Sequence, residues 1–136
     1  MKADSPQQRL TEAWAETGSA LCVGLDPDLD RLPATLADDL DAVFLFCREI
    51  VDATAPFACA FKPQFAHFAA VGAEHALQRL CAHIRSAHPD RLLILDAKRG
   101  DIGSTAAQYA REAFERYDAD ALTVNPYMGF DSVEPY

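Results

Sequence analysis

Lysine is scarce in this sequence. Three lysines stand against nine arginines, and one of the three, Lys2, lies in the polar N-terminal stretch. The other two, Lys62 and Lys98, each close a strand-like run. Arginine serves for general surface charge, so a lysine at a strand end points to what arginine cannot do: carry a compact charge and give up a proton. The four cysteines, Cys22, Cys47, Cys59 and Cys81, form no C-x-x-C pair and all sit in apolar segments. That argues against a disulfide framework or a thiolate metal centre and for small buried hydrophobes. His67, His75, His83 and His88 show no ligand spacing, so no metal site is expected. A G-x-G-x-x-G turn and a P-loop are both missing, which weakens a nucleotide-cradling domain. No apolar run approaches the roughly 20 residues that a bilayer span needs, and residues 1–9 carry no apolar signal core. The chain is therefore read as cytoplasmic, without a membrane partner. A formal charge of -9 and a pI near 4.7 repel phosphate backbones and argue against nucleic acid as a partner.

What is present is an alternation of short apolar runs and longer helical patterns over 136 residues. Strands are expected at 21–26, 58–62, 91–98 and 121–125, and helices at about 6–17, 36–54, 73–87 and 104–117. In the second helix Val43, Cys47, Ile50 and Val51 recur with a 3.6-residue period, and in the third Leu77, Leu80, Cys81 and Ile84 do the same. Continuous apolar strands separated by helices imply a parallel sheet covered by helices. The strand starts at 21, 58, 91 and 121 lie one βα unit apart. Four such units are half of a (β/α)8 TIM barrel, which needs roughly 250 residues. The end of the chain reads as a helix beginning, with Asp131 as N-cap and Glu134 three residues on. Residues 1–136 are thus expected to be the N-terminal half of one barrel domain, interrupted within the fourth unit. A complete four-stranded doubly wound domain is the alternative.

The chemistry concentrates in Asp96-Ala97-Lys98-Arg99-Gly100-Asp101, directly after the apolar run Leu92-Leu93-Ile94-Leu95. Residues two apart on a strand face the same side, so Asp96 and Lys98 project together. Gly100 permits a tight turn that sends Asp101 back over the site or towards a neighbouring subunit. Lys62 ends the adjacent strand, completing an alternating array of two lysines and two aspartates at the C-terminal mouth, where barrel enzymes place their active sites. Carboxylates beside a lysine favour its ammonium form. An ammonium is a poor Schiff-base nucleophile but a good donor of a proton to a carbanion. A purely structural ion-pair network is the competing explanation of D-x-K taken alone.

The longer string, residues 93–106, resembles the signature of the orotidine 5'-phosphate decarboxylases: an apolar strand, D-x-K-x-x-D, a branched apolar residue, a small residue, then x-T. Val23-Gly24-Leu25-Asp26 resembles the family's first strand. Phe61-Lys62-Pro63-Gln64 and Val124-Asn125-Pro126-Tyr127 resemble strands 2 and 4 of its longer-chain bacterial subgroup. The resemblance implies decarboxylation of orotidine 5'-phosphate (OMP) to UMP in pyrimidine biosynthesis, with neither metal nor organic cofactor. It implies that Lys98 protonates C6, that Asp96 sits against the leaving carboxylate, and that Lys62 positions Asp96 and contacts the ribose. Asp101, Ile102 and Thr105 would reach the substrate of a partner subunit in a homodimer, and Asp26 would bond a ribose hydroxyl. Asn125-Pro126 is read as structural, a strand end pinned by proline.

The family's phosphate-gripping arginine and closing loop lie beyond strand 4. Residues 1–136 alone are therefore expected neither to bind nucleotide well nor to turn it over, and their unpaired sheet edges should favour aggregation. Three rival readings remain. A Mg-dependent sugar-phosphate decarboxylase or synthase of the same barrel superfamily would want an acidic residue where Lys62 stands. A class I aldolase would use Lys98 or Lys62 as a Schiff base. A non-catalytic nucleotide-binding α/β module would bind without turnover.

Overall fold

The computed structural model describes residues 5–36, 39 and 41–136. Helix α1 spans Pro6–Thr17. Its start is dictated locally: the Ser5 hydroxyl accepts from Gln8 N, the Gln8 side chain accepts from Ser5 N, and Pro6 stands at the first helical position. Four strands follow, β1 (Leu21–Leu25), β2 (Ala58–Pro63), β3 (Leu92–Arg99) and β4 (Ala121–Val124). Between them lie α2 (Ala42–Thr54), the short α3 (Phe65–Ala69), α4 (Glu74–Ala87) and α5 (Gly103–Arg111).

All neighbouring strands pair in parallel, in the order β1-β2-β3-β4. That order never reverses, which rules out the doubly wound alternative and matches half of a (β/α)8 barrel. The alternation along β3 shows the layering. Leu93 and Leu95 pack outward with Phe61 against Cys47, Val51, Leu77, Leu80 and Ile84 of α2 and α4. Leu92 and Ile94 point the other way, into a smaller cluster with Ala60, Cys59 and Ala13 of α1. Helix α1 thus closes the barrel interior at the N-terminal ends of the strands. Ion pairs fasten that end: Arg9 and Arg85 both bind Asp120, whose carboxylate also accepts from Leu93 N at 2.8 Å, and Arg91 binds Glu16 at 2.9 Å.

Several sequence expectations are corrected here. The pattern predicts the second helix over about 36–54, but Leu36 ends a 3-10 turn and the described helix begins at Ala42; residues 37, 38 and 40 lie outside the described residues. The helix expected at about 104–117 is α-helical only from Gly103 to Arg111 and then widens into a π turn, Glu112–Arg116, with Tyr117 N bonding Glu112 O. Asp131 is not an N-cap. It lies inside a 3-10 turn, Phe130–Ser132, capped by Gly129, and no α-helix begins there. Three cysteines are buried, but Cys22 is exposed, so the expectation of a small buried hydrophobe fails at that position. Asn125 caps the 3-10 turn Pro126–Met128 by accepting from Tyr127 N, in agreement with its structural reading. No described helix is long and apolar enough to cross a membrane.

Candidate active site

The inward row Leu92, Ile94 continues to Asp96, where the hydrophobic interior gives way to the open C-terminal end of the strands. Asp96 is only 6% exposed. Lys62, at the end of β2, donates to its Oδ2 at 2.8 Å, and Lys98 donates to its Oδ1 at 2.7 Å. One carboxylate therefore holds two ammonium groups, one on each oxygen.

The two-residue strand periodicity does not by itself produce this. Leu95 pairs with Leu122 of β4, but the next partner of Val124 is Arg99, so Asp96, Ala97 and Lys98 form a bulge in β3. Lys98 has φ +47, in the left-handed region that side chains other than glycine's rarely adopt. The positive φ therefore falls on Lys98 rather than on Gly100, where the sequence suggested a tight turn. Gly100 serves another purpose: a Cβ there would stand 2.9 Å from the carbonyl oxygen of Asn125, so only glycine lets the chain pass β4 this closely. The bulge re-aims Lys98 over Asp96 and leaves its side chain two-thirds exposed, facing solvent at the barrel mouth.

Two further residues complete the shell around Asp96, and sequence reading missed both. Gln64 Nε2 donates to Oδ2 at 3.0 Å, and Thr123 Oγ1 donates to Oδ1 at 2.8 Å. The Thr123 hydroxyl also accepts from Lys98 N at 3.0 Å, so one side chain ties the acid and the lysine backbone together. Gln64 is carried by the chain just past β2, and Thr123 by β4. The available sequence signal for Thr123 is its place as the single hydroxyl in the run Ala121-Leu122-Thr123-Val124.

The electrostatics follow from these contacts. Burial works to raise the Asp96 pKa, but the hydrogen bonds from Lys62, Lys98 and Thr123, with the Lys62 charge, outweigh it and hold the carboxyl well below the usual carboxylate range. Lys62 moves the opposite way. Its hydrogen bond to Asp96 outweighs the effect of burial, the charges of Asp96 and Asp26 add to it, and its pKa rises. Burial pushes the Cys47 and Cys81 thiols up to about 12, so neither is a thiolate ligand or nucleophile at neutral pH.

The remaining residues singled out from sequence lie around this trio. Asp26 is exposed just beyond β1, close enough for its charge to act on Lys62. Asp101 does not join the array within this chain: its Oδ1 accepts from the adjacent Ile102 N at 2.8 Å, so Lys98 pairs with one carboxylate here, not two. Ile102 is 58% exposed, and Thr105 is exposed on the first turn of α5. Behind the trio, the Arg99 guanidinium is stacked between the rings of Phe65 (4.4 Å) and Tyr109 (4.3 Å) and paired with Glu112 at 2.6 Å. That clamp fixes the backbone immediately after Lys98.

A family model described as orotidine 5'-phosphate decarboxylase / HUMPS matches residues 19–136. The orotidine 5'-phosphate decarboxylase of Bordetella petrii is 66% identical over 129 residues, which is 95% of this chain and 47% of that protein. That of a Janthinobacterium species is 60% identical over the same length, 48% of its own chain. Among solved structures, a Toxoplasma gondii chain described as an orotidine-monophosphate decarboxylase superposes with a TM-score of 0.86 at 44% identity, over 94% of this chain and 43% of that one. The OMP decarboxylase of Leishmania donovani superposes with a TM-score of 0.79 at 36% identity, over 97% and 48%. The chain spans about half the length of the curated relatives it matches. With the barrel topology, the D-x-K-x-x-D strand end and this match in agreement, the chain belongs to the orotidine 5'-phosphate decarboxylase / HUMPS family.

Proposed function

We propose that residues 1–136 form the N-terminal half of a single barrel domain in a cytoplasmic OMP decarboxylase, the carboxy-lyase that makes UMP and CO2. The observation that carries this reading is Asp96 held between Lys62 and Lys98 at 2.8 and 2.7 Å. Such a carboxylate stays ionised. A substrate carboxylate seated beside it is repelled, and leaving as neutral CO2 relieves the repulsion. The C6–carboxylate bond breaks with its electron pair retained on C6. The ammonium of Lys98 stabilises that pair and gives C6 a proton, and the resulting neutral amine takes a proton back from water. Preorganised charge of this kind is often the largest catalytic contribution. No metal or organic cofactor enters this sequence of steps.

In this reading Lys62 positions Asp96 and contacts the ribose, and Asp26 bonds a ribose hydroxyl. Asp101, Ile102 and Thr105 serve the site of a partner subunit in a homodimer. Their reading as partner-facing is supported by the exposure of Ile102 and Thr105 and by Asp101 bonding Ile102 N rather than Lys98. The phosphate would be gripped by later strands, so these residues alone would neither bind nucleotide well nor turn it over.

The test is decarboxylation of OMP, followed by loss of orotate absorbance, in the full-length protein and its Lys98→Ala variant. A loss of several orders of magnitude in kcat is expected, and unchanged turnover would remove the proposed acid. The Mg-dependent sugar-phosphate reading is disfavoured by Lys62, a cation where a metal would need an acidic ligand; activity that persists in EDTA separates the two.

A further inference from the structure

At the end of the barrel opposite the candidate active site, three side chains distant in sequence converge. Asp52 lies near the C-terminus of α2, His83 in the last half of α4, and His88 just after α4, where it leads into β3. Asp52 Oδ1 lies 2.7 Å from His83 Nε2 and 2.8 Å from His88 Nε2. The potential ligand atoms of all three lie within 4.8 Å of one another. The sequence did not reveal the cluster because Asp52 lies 31 residues before His83, and only the packing of α2 against α4 brings it to the two histidines.

We propose that Asp52, His83 and His88 form a binding site for a divalent first-row transition ion, with Zn2+ as its natural occupant. Two imidazole nitrogens and one carboxylate oxygen are the donor set such ions prefer, and three protein ligands leave a position for water. Both rings already turn Nε2 towards one carboxylate oxygen, the atoms a metal would use. Tetrahedral coordination at about 2.1 Å needs donors roughly 3.4 Å apart. The observed 2.7 and 2.8 Å must therefore open by about two-thirds of an ångström, once the ion takes the place of the protons on Nε2. Small side-chain rotations supply that.

The rings are placed by their surroundings. His88 packs against buried Phe61, with centroids 6.4 Å apart, and meets His83 edge-on at 5.9 Å. Its backbone N bonds Ile84 O and its O accepts from Arg91 N, so the ligand is held from both sides. The cluster is also open. The Asp52 side chain is 43% exposed and the two imidazoles are just over a fifth exposed, so an ion can enter with its water. The C-termini of α2 and α4 and the starts of β2 and β3 put the cluster at the N-terminal face, where barrels carry stability rather than chemistry. A bound ion would be a clip between α2 and α4, raising stability by mass action without touching turnover.

The experiment uses full-length protein stripped with EDTA and titrated with Zn2+ and with Co2+. Expected are one equivalent bound, a Co2+ visible spectrum displaced by Zn2+, and a Tm that rises with Zn2+ concentration. Decarboxylase activity should be the same with and without EDTA. In NMR of the unmutated protein, the imidazole signals of His83 and His88 should move on adding Zn2+ while those of His67 and His75 stay put. Asp52→Asn, His83→Gln and His88→Gln should each weaken binding by at least about tenfold. His75→Gln and Cys22→Ser, which lie outside the cluster, should leave it intact. The proposal is overturned by no binding, by shifts at other histidines, by binding that survives all three cluster variants, or by binding lost with Cys22→Ser.

Discussion

Thr123 of β4 donates a hydrogen bond from its hydroxyl to the Asp96 carboxylate of β3 at 2.8 Å. The same oxygen receives the backbone N–H of Lys98, so the hydroxyl is a node between the acid and the lysine proposed to work beside it. Thr123→Val keeps the shape and removes both bonds. A hydrogen bond to a charged group contributes about 1.5–3 kcal/mol, so kcat should fall roughly ten- to hundredfold, with a smaller effect on KM. Thr123→Ser should restore most of it. Steady-state kinetics of the two variants decides the matter, and equal loss in both would mean that the methyl packing matters and the hydroxyl does not.

The Asp96 and Lys62 shifts make stability depend on pH in a defined direction. The folded-state pKa of Asp96 is depressed, so its contribution is complete above the unfolded value near 4 and is lost as pH falls through the folded one. Lys62 is raised, so its contribution is complete below the unfolded value near 10.4 and is lost only as pH rises through the folded one. The pair therefore stabilises across the whole neutral range. Urea unfolding between about pH 3 and pH 7 should show the unmutated protein losing stability with acid more steeply than Asp96→Asn. Parallel curves would show that the Asp96 charge is not linked to folding.

Lys98 sits at φ +47, which costs a residue with a Cβ about 1 kcal/mol. Glycine escapes that cost. Lys98→Gly should accordingly be as stable as Lys98→Ala or more so, by up to about 1 kcal/mol, although both lose activity. At Lys62, in regular strand conformation, the order should reverse, because glycine in a strand is the less stable choice. Denaturant melts of the four variants test this. If Lys98→Gly were less stable than Lys98→Ala, the left-handed backbone would not be a source of strain.

The legible parts of the structure are those that contiguous residues decide. Helix α1 falls on 6–17 as its pattern predicts, and β2 and β3 fall within a residue of their expected bounds. The run Leu92-Leu93-Ile94-Leu95 announces a strand covered on both faces, and D-x-K-x-x-D announces the chemistry at its end. Even the meeting of Lys62 with Asp96, 34 residues apart, is foreseeable, because consecutive strands of a βα repeat pair side by side. The break in α5 was not foreseeable: Tyr117 N bonds Glu112 O in a π turn that accompanies two non-local features, the buried Tyr117 ring and the Arg99–Glu112 pair.

The sequence by itself determined the alternation of strands and helices, the family to which the chain belongs and the side chains that end its strands. These depend on spacing along the chain: a period of two, a period of 3.6, a cap, a signature string. The tertiary structure alone decided that Lys98 turns onto Asp96 through a bulge, that Thr123 and Gln64 complete the shell, and that Asp52 meets His83 and His88. Each of these is a contact between separate elements, set by strand register and helix packing to within an ångström, and nothing in a local pattern specifies distances that fine.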